Sequence, residues 1–311
     1  MKCLVTGAAG FIGSYLVEFL LKERHKVVAF DVSKSQMSDN AEFTASFIEG
    51  NILESKDIGR LFEAIQPEIV FHLAAQSYPN VSWEEPANTF KVNVLGTIFL
   101  FEEIRARKLD PVIIVPCSSS EYGPSRDGQP ITESGEILPS SPYAVSKLAQ
   151  DHISRLYYEY YGLKVVRCRP FYLIGPRKKG DVSSDFARGI VAIERGQQKE
   201  LPVGNLDVVR DLLDVRDGVE AFWLLSQQGQ PGEVYNVCSG SGLLVRELLS
   251  IYKGLAKVEI RVRMDPGRIR TIDDGVKIGD HSKLCNLGWS PKRTIQQTLK
   301  DILEYWRIQK N

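Results

Sequence analysis

Lys2-Cys3-Leu4-Val5-Thr6-Gly7-Ala8-Ala9-Gly10-Phe11-Ile12-Gly13 is the stretch that decides the fold. A short apolar run leads into glycines at every third position, and a helical pattern follows through Glu23. Strand, glycine turn and helix in that order open a dinucleotide-binding βαβ unit. Gly7 and Gly10 allow the tight turn and let the backbone approach a pyrophosphate at the positive end of the helix. Gly13 allows the helix to pack closely on the sheet. Phe11 and Ile12, inside the same turn, join these glycines as expected cofactor contacts. A second apolar run, Val27-Val28-Ala29-Phe30, ends in Asp31. A carboxylate there binds both hydroxyls of an adenosine ribose, so the expected cofactor is NAD(H) in preference to NADP(H).

Further apolar runs at Ile69-Val70-Phe71-His72-Leu73, Val112-Ile113-Ile114-Val115 and Lys164-Val165-Val166-Arg167-Cys168 alternate with helical stretches near 57–65, 88–108 and 141–161. Such alternation predicts an α/β fold, a Rossmann-type doubly wound parallel sheet. After Arg169-Pro170 the rhythm becomes loop-rich, with Gly175-Pro176 and Gly180, and the strand-like Val234-Tyr235-Asn236-Val237 precedes a more charged tail. The expected division is a cofactor domain of residues 1–170 plus 208–238, with a smaller substrate-binding lobe of 171–207 plus 239–311.

At 311 residues the chain has length for about two such lobes, and its apolar fraction of 43% is ordinary for a globular protein. The 39 basic and 39 acidic residues cancel, so no field points to nucleic acid or a membrane surface. Cys3, Cys117, Cys168, Cys238 and Cys285 are scattered and odd in number, which suits a reducing compartment and argues against a zinc site. With no signal peptide or apolar run of spanning length, the expected location is cytoplasmic.

Tyr143 and Lys147 lie four apart in Ser141-Pro142-Tyr143-Ala144-Val145-Ser146-Lys147 and share a helix face. A neighbouring ammonium favours a tyrosinate, which lowers the phenol's pKa toward the range of useful proton transfer. Taken with Gly7-x-x-Gly10-x-x-Gly13, His72-Leu73-Ala74-Ala75, Asn93 and Ser118-x-x-x-Tyr122-Gly123, the pair resembles the extended short-chain dehydrogenase/reductase family that modifies nucleotide sugars. Gly204-Asn205-Leu206-Asp207 with Val209-Arg210-Asp211, Tyr235-Asn236-Val237-Cys238-Ser239-Gly240, and the Val81-Ser82-Trp83 segment are similar to its GDP-mannose 4,6-dehydratase and 4-keto-6-deoxy-mannose reductase branch. Asp265-Pro266-Gly267-Arg268 and Gly288-Trp289-Ser290-Pro291 look more like the reductases.

The resemblance implies roles for particular residues. Ser118 would hydrogen-bond the reacting sugar oxygen, Tyr143 would transfer the proton, and Lys147 would hold the nicotinamide ribose. Asn51 and Ile52 resemble the adenine-contacting pair, a plain turn being the alternative. Leu73, Ala74, Ala75 and Asn93 would line the cofactor, with His72 as a packed histidine at the sheet end. Ser82, Ser119, Ser120, Tyr172, Asn205, Arg210, Arg270 and Asp273 would face the nucleotide sugar, the arginines because a planar fork suits phosphate. Tyr172 stands where the family usually has an Asn that reaches the substrate diphosphate, and Asp31 departs from a branch that often accepts a phosphorylated ribose.

Relatives that dehydrate carry a Glu two residues before the Tyr of the Ser-x-x-x-Tyr-Gly segment. Here that place is Ser120, with Ser119 before it. Glu121 comes one residue late, and on a continuing strand its side chain would face the opposite side. The expected activity is NAD(P)H-dependent reduction of a nucleotide-linked 4-keto-6-deoxy hexose, foremost GDP-4-keto-6-deoxy-D-mannose to GDP-D-rhamnose, with a GDP-linked substrate favoured. The alternatives are a nucleotide-sugar 4-epimerase that retains NAD and a non-catalytic dinucleotide sensor. The resemblance also implies a homodimer through a four-helix bundle built from segments 88–108 and 141–161.

Overall fold

Strands that are apolar along their whole length must be covered on both faces, the condition of a parallel sheet sandwiched between helices. In the computed structural model, which describes residues 1–33, 46–268 and 275–309, β1 (Lys2–Thr6), β2 (Lys26–Asp31), β3 (Ser46–Glu49), β4 (Ile69–His72), β5 (Val112–Pro116), β6 (Val165–Pro170) and β10 (Val234–Val237) form this sheet. Its seven parallel strands run in the order β10-β6-β5-β4-β1-β2-β3. The order reverses between β1 and β4, the switch point where doubly wound sheets leave a crevice at their carboxyl ends.

Helices α1 (Phe11–Lys22) and α8 (Val215–Gln228) cover one face, and α2 (Ser55–Ala64), α5 (Gly96–Ala106) and α6 (Pro142–Tyr161) the other. Leu16, Leu20, Phe71, Val219 and Phe222 belong to the first core, and Phe30, Leu61, Val70, Leu100 and Phe101 to the second. The stretch 88–108, expected as one helix, is helical without a break through Ala106 but carries a π turn within it. Short α3 (Pro79–Glu84) and α4 (Pro86–Phe90) lead into a π-helical turn, Lys91–Leu95, before α5. The Thr97 hydroxyl donates to the Asn93 carbonyl inside this wide turn, a form that recurs at functional sites.

The smaller lobe pairs β7 (Tyr172–Ile174), β9 (Val209–Asp214), β11 (Gly242–Leu244) and β13 (Val276–Lys277), with β8 (Leu201–Val203) beside β12 (Val262–Met264). Here the structure corrects the boundaries drawn from sequence. β9 hydrogen-bonds to β7, β11 and β13 and not to the large sheet, so residues 209–214 belong to the smaller lobe, while α8 directly after them packs on the large one. Helices α7 (Val182–Glu194), α9 (Val245–Leu255) and α11 (Ile295–Ile308) close the lobe around Ile190, Leu248, Tyr252, Leu299 and Ile302. The short α10 (Ser282–Cys285) returns Leu284 and Trp289 to the core of the large lobe.

Candidate active site

The glycine turn is held by contacts that no side chain could share. Gly7 has φ +68°, and a Cβ there would lie 2.6 Å from the Ala74 nitrogen and the Leu73 carbonyl carbon. A Cβ on Gly13 would lie 2.1 Å from the Gly7 oxygen. The first turn of α1 therefore rests directly on the loop. Gly10 caps α1 without a side-chain hydrogen bond, which leaves the helix N-terminus with Phe11 and Ile12 open to an anion. This is a cradle that fits a dinucleotide pyrophosphate.

Asp31 ends β2 beside that cradle, where its carboxylate accepts the Ala9 N–H at 2.9 Å and the Val32 N–H at 2.7 Å. Burial raises its pKa, and these backbone hydrogen bonds oppose the rise. With Gly10 as a third backbone donor, the two oxygens together still have an acceptor position for a hydroxyl. Gly50 donates to the Asp31 carbonyl, which places Asn51 nearby. The Asn51 side chain accepts the Leu53 N–H at 3.0 Å, and its own N–H bonds Asp57 at 2.9 Å, the turn that was the alternative reading. Ile52 is 4% exposed and packs where a Gly96 side chain would be. Its side chain is thus part of the core.

Leu73 and Ala74 donate their N–H groups to the backbone and hydroxyl oxygens of Thr6, which fixes the strand end, with Ala75 following, against Gly7. Asn93 has no exposed surface. Its carbonyl accepts Gln76 N at 2.8 Å and its NH2 reaches Gln76 O and Ser146 Oγ. Bonded in this way, Asn93 holds the loop after Ala75 against α6. His72 is bonded to Thr6 and Thr97 hydroxyls at 2.9 Å each, and burial lowers its pKa to about 3.

α6 carries Tyr143 and Lys147, the expected acid/base pair. Ser141 caps it by accepting the Ala144 N–H, Pro142 pre-sets its first turn, and Gly162 ends it at φ +73°. Spacing of four then places Tyr143, Lys147 and Asp151 along one face. Lys147 is buried and donates to Pro116 O at 2.8 Å and Gln150 Oε1 at 2.7 Å. Burial lowers its pKa. The expected depression of Tyr143 is reversed: burial pushes the phenol up to about 12, and a hydrogen bond with the Ser118 side chain opposes the rise. Lys147 is turned to Pro116 and Gln150, so its charge does not offset that burial.

Ser118 is 8% exposed; its hydroxyl lies 2.6 Å from the Ser120 hydroxyl and accepts the Ser120 N–H at 3.1 Å. Ser118, Ser120 and Tyr143 thus meet in one hydroxyl cluster, with Ser119 buried behind it. Ser82, expected to touch substrate, is fully buried and accepts the Tyr143 backbone N–H at 3.0 Å while donating to Pro79 O at 2.6 Å. It positions Tyr143 instead.

In the smaller lobe Arg210 sits 5.4 Å over the Tyr172 ring, so two expected substrate residues do meet, Arg210 being anchored on Val209 O and Gly275 O. Asn205 is exposed and accepts the Asp207 N–H, forming its own turn. Arg270 and Asp273 lie outside the described residues.

Sequence reading missed the charged group under Ser118. β5 ends at Pro116, and Ser119–Glu121 forms a 3-10 turn rather than more strand. The alternation rule therefore does not apply, and Glu121 turns inward with no exposed surface, against Arg169 and Asp151. Arg169 also reaches the Tyr122 hydroxyl at 2.8 Å, which in turn donates to Asn236 at 2.9 Å. Asp151, four residues after Lys147 on the catalytic face, was the available signal.

Comparison with known proteins gives this geometry a context. Residues 4–302 match a family described as GDP-mannose 4,6 dehydratase. The chain is 34% identical to a GDP-6-deoxy-D-mannose reductase of Pseudomonas aeruginosa, over 98% of this chain and 97% of that one. Among solved structures it resembles that of RMD from Pseudomonas aeruginosa complexed with NADPH, with a TM-score of 0.86 and 33% identity over 98% of each chain. It also resembles a UDP-glucose 4-epimerase of Thermus thermophilus in complex with NAD, with a TM-score of 0.89 and 30% identity over 99% of each. Among the described residues no helix is long and apolar enough to cross a membrane.

Proposed function

The chain belongs to the GDP-mannose 4,6-dehydratase family of extended short-chain dehydrogenases, and on that premise we propose that it reduces a GDP-linked 4-keto-6-deoxy hexose, GDP-4-keto-6-deoxy-D-mannose to GDP-D-rhamnose. The observation that carries this reading is the hydroxyl cluster. The place of the dehydrating Glu holds Ser120, whose hydroxyl bonds Ser118, and the neighbouring carboxyl, Glu121, is sealed beneath it. An alcohol is too weakly acidic to serve as the base that dehydration needs.

The cofactor is a nicotinamide dinucleotide, as in both structural relatives, held by the Gly7–Gly13 cradle with Asp31 favouring NADH. When bound, it supplies the hydride. Tyr143 then gives its proton to the emerging alkoxide, Ser118 donates a hydrogen bond to the same oxygen, and Arg210 offers a phosphate contact. Trp83, Leu95, Leu156 and Tyr160, exposed by 42% or more beside the π-turn and along α6, form the face of a homodimer, and light scattering at micromolar concentration should give the dimer mass.

The deciding experiment supplies NADH with the GDP-linked 4-keto sugar and follows loss of reduced-nicotinamide absorbance. Consumption of NADH with formation of one C4 epimer is expected. Turnover of a nucleotide hexose by protein carrying its own NAD, without added cofactor, would favour a 4-epimerase. Loss of water from GDP-mannose with oxidised cofactor would establish a dehydratase.

A further inference from the structure

Glu121 is completely buried and its two oxygens differ. Oε1 accepts the Ser118 backbone N–H at 2.8 Å. Oε2 lies 3.0 Å from Arg169 Nε but receives no hydrogen bond. That nitrogen carries a single proton, and the proton is aimed at Asp151 Oδ2, 2.9 Å away. An ionised Glu121 would therefore keep an unsatisfied anionic oxygen in the interior, facing a second carboxylate. Asp151 is supplied twice, by Arg167 on Oδ1 and Arg169 on Oδ2. Although burial alone would raise it, Arg169 and Arg167 hold its carboxyl below the ordinary range. The proton that relieves the repulsion belongs on Glu121.

We infer that Glu121 is a neutral carboxylic acid that positions the Ser118–Ser120 turn, accepting Ser118 N–H with one oxygen and donating from the other to Asp151. Its value for catalysis rests on the reading of Ser118 given above; its protonation does not. From α6 it interacts with Asp151, Lys147 and Tyr143, from β6 with Arg169 and Cys168, and from the segment after β5 with Cys117 and Tyr122, while Arg167 pairs with Asp151. Burial, then Asp151, push it up to about 8 against the pull of Arg169. A charge on Glu121 would raise Tyr143 still further, so the neutral acid also keeps the proton donor usable. Cys117 and the two carboxyls approach within 4.8 Å of one another, but the arginines occupy the acids, and ion pairing rather than a metal accounts for the cluster.

The test needs no substrate at first. An infrared difference spectrum of wild type against Glu121→Gln near neutral pH should contain the C=O stretch of a protonated carboxyl group, present only in wild type. Its absence overturns the inference whatever reaction the protein runs. In turnover, Glu121→Gln keeps an acceptor for Ser118 and offers an N–H to Asp151, so kcat should stay within about threefold of wild type. Glu121→Leu removes both bonds and should lower kcat by about tenfold or more with KM little changed, as expected of a misplaced catalytic hydroxyl. A loss in Glu121→Gln as large as in Glu121→Leu would mean that the negative charge is what matters, and would also overturn it. If wild type itself fails to reduce the keto sugar, the proposed activity falls and the infrared band still decides the state of Glu121.

Discussion

Replacing the glycines of the first turn by alanine one at a time should give a graded response that the geometry orders in advance. At Gly13 the new Cβ would meet the Gly7 oxygen at 2.1 Å and the Ala8 Cα at 2.8 Å, both backbone atoms that cannot swing aside. Relief needs α1 to move by about 1 Å off the loop, an overpacking strain of ~1–3 kcal/mol, or about 5- to 150-fold in the folding constant. The same movement carries the helix N-terminus away from the pyrophosphate. Loss of one charge-assisted hydrogen bond, worth ~1.5–3 kcal/mol, should weaken dinucleotide binding by about ten- to a hundredfold. At Gly10 the Cβ would stand 3.2 Å from the Gly7 oxygen with φ at −70°, and a shift of a few tenths of an ångström should suffice. Gly10→Ala should therefore lose under ~1 kcal/mol. Urea unfolding of each cofactor-free variant gives the stability change, and energy transfer from tryptophan to reduced nicotinamide gives Kd. If Gly13→Ala binds the dinucleotide as well as wild type, or Gly10→Ala is damaged equally, the close approach of α1 to the loop is not what makes the cradle.

Tyr143→Phe keeps the ring and removes the transferable proton, so turnover should fall about a hundredfold or more with Kd for cofactor little changed; near-normal turnover would remove Tyr143 as the acid. Wild type should use NADH better than NADPH by ~1–3 kcal/mol through Asp31, and Asp31→Ala should narrow the gap. Equal kinetics with the two cofactors in wild type would show that Asp31, already bonded to Ala9 and Val32, serves only the loop. His72 is neutral in the folded state because burial lowers its pKa from 6.5 to about 3. A histidine depressed on folding stabilises the protein above its unfolded pKa and loses that contribution as pH falls toward 3. Between pH 7 and pH 5 the loss should be ~2 kcal/mol in urea unfolding, and the pH dependence should flatten by that amount in His72→Gln.

The glycine turn was readable because what it requires is a matter of the backbone. Glycine at Gly7 and Gly13 is required by contacts of under 3 Å, and such a requirement leaves its mark in residue type and spacing alone. Tyr143 and Lys147 were readable because helical spacing fixes a shared face. Where the reading failed, the missing information was what a side chain does when it is buried. Ser82 carries the polar group expected of a ligand contact, and the fold spends it on Tyr143 N. The direction of the Tyr143 shift failed for the same reason: proximity of a lysine in sequence does not weigh the desolvation that opposes it.

Glu121 shows the limit most sharply. Its face could be deduced only if the strand continued, and three residues in a 3-10 turn reverse the deduction. Once turned inward, the acid meets a fixed arrangement: one oxygen on the Ser118 N–H, the other beside a carboxylate that two arginines already hold. Four ionisable groups in a dry space can satisfy every oxygen only if one acid keeps its proton. Asp151 has donors for both its oxygens and Glu121 for one, so the proton's place follows from counting donors, and with it the neutrality of the residue directly beneath Ser118. The same count bears on the proposed reaction: the oxygen of Glu121 without a backbone donor lies beside Arg169 and Asp151, and a protonated acid with no exposed surface cannot take a proton from a sugar.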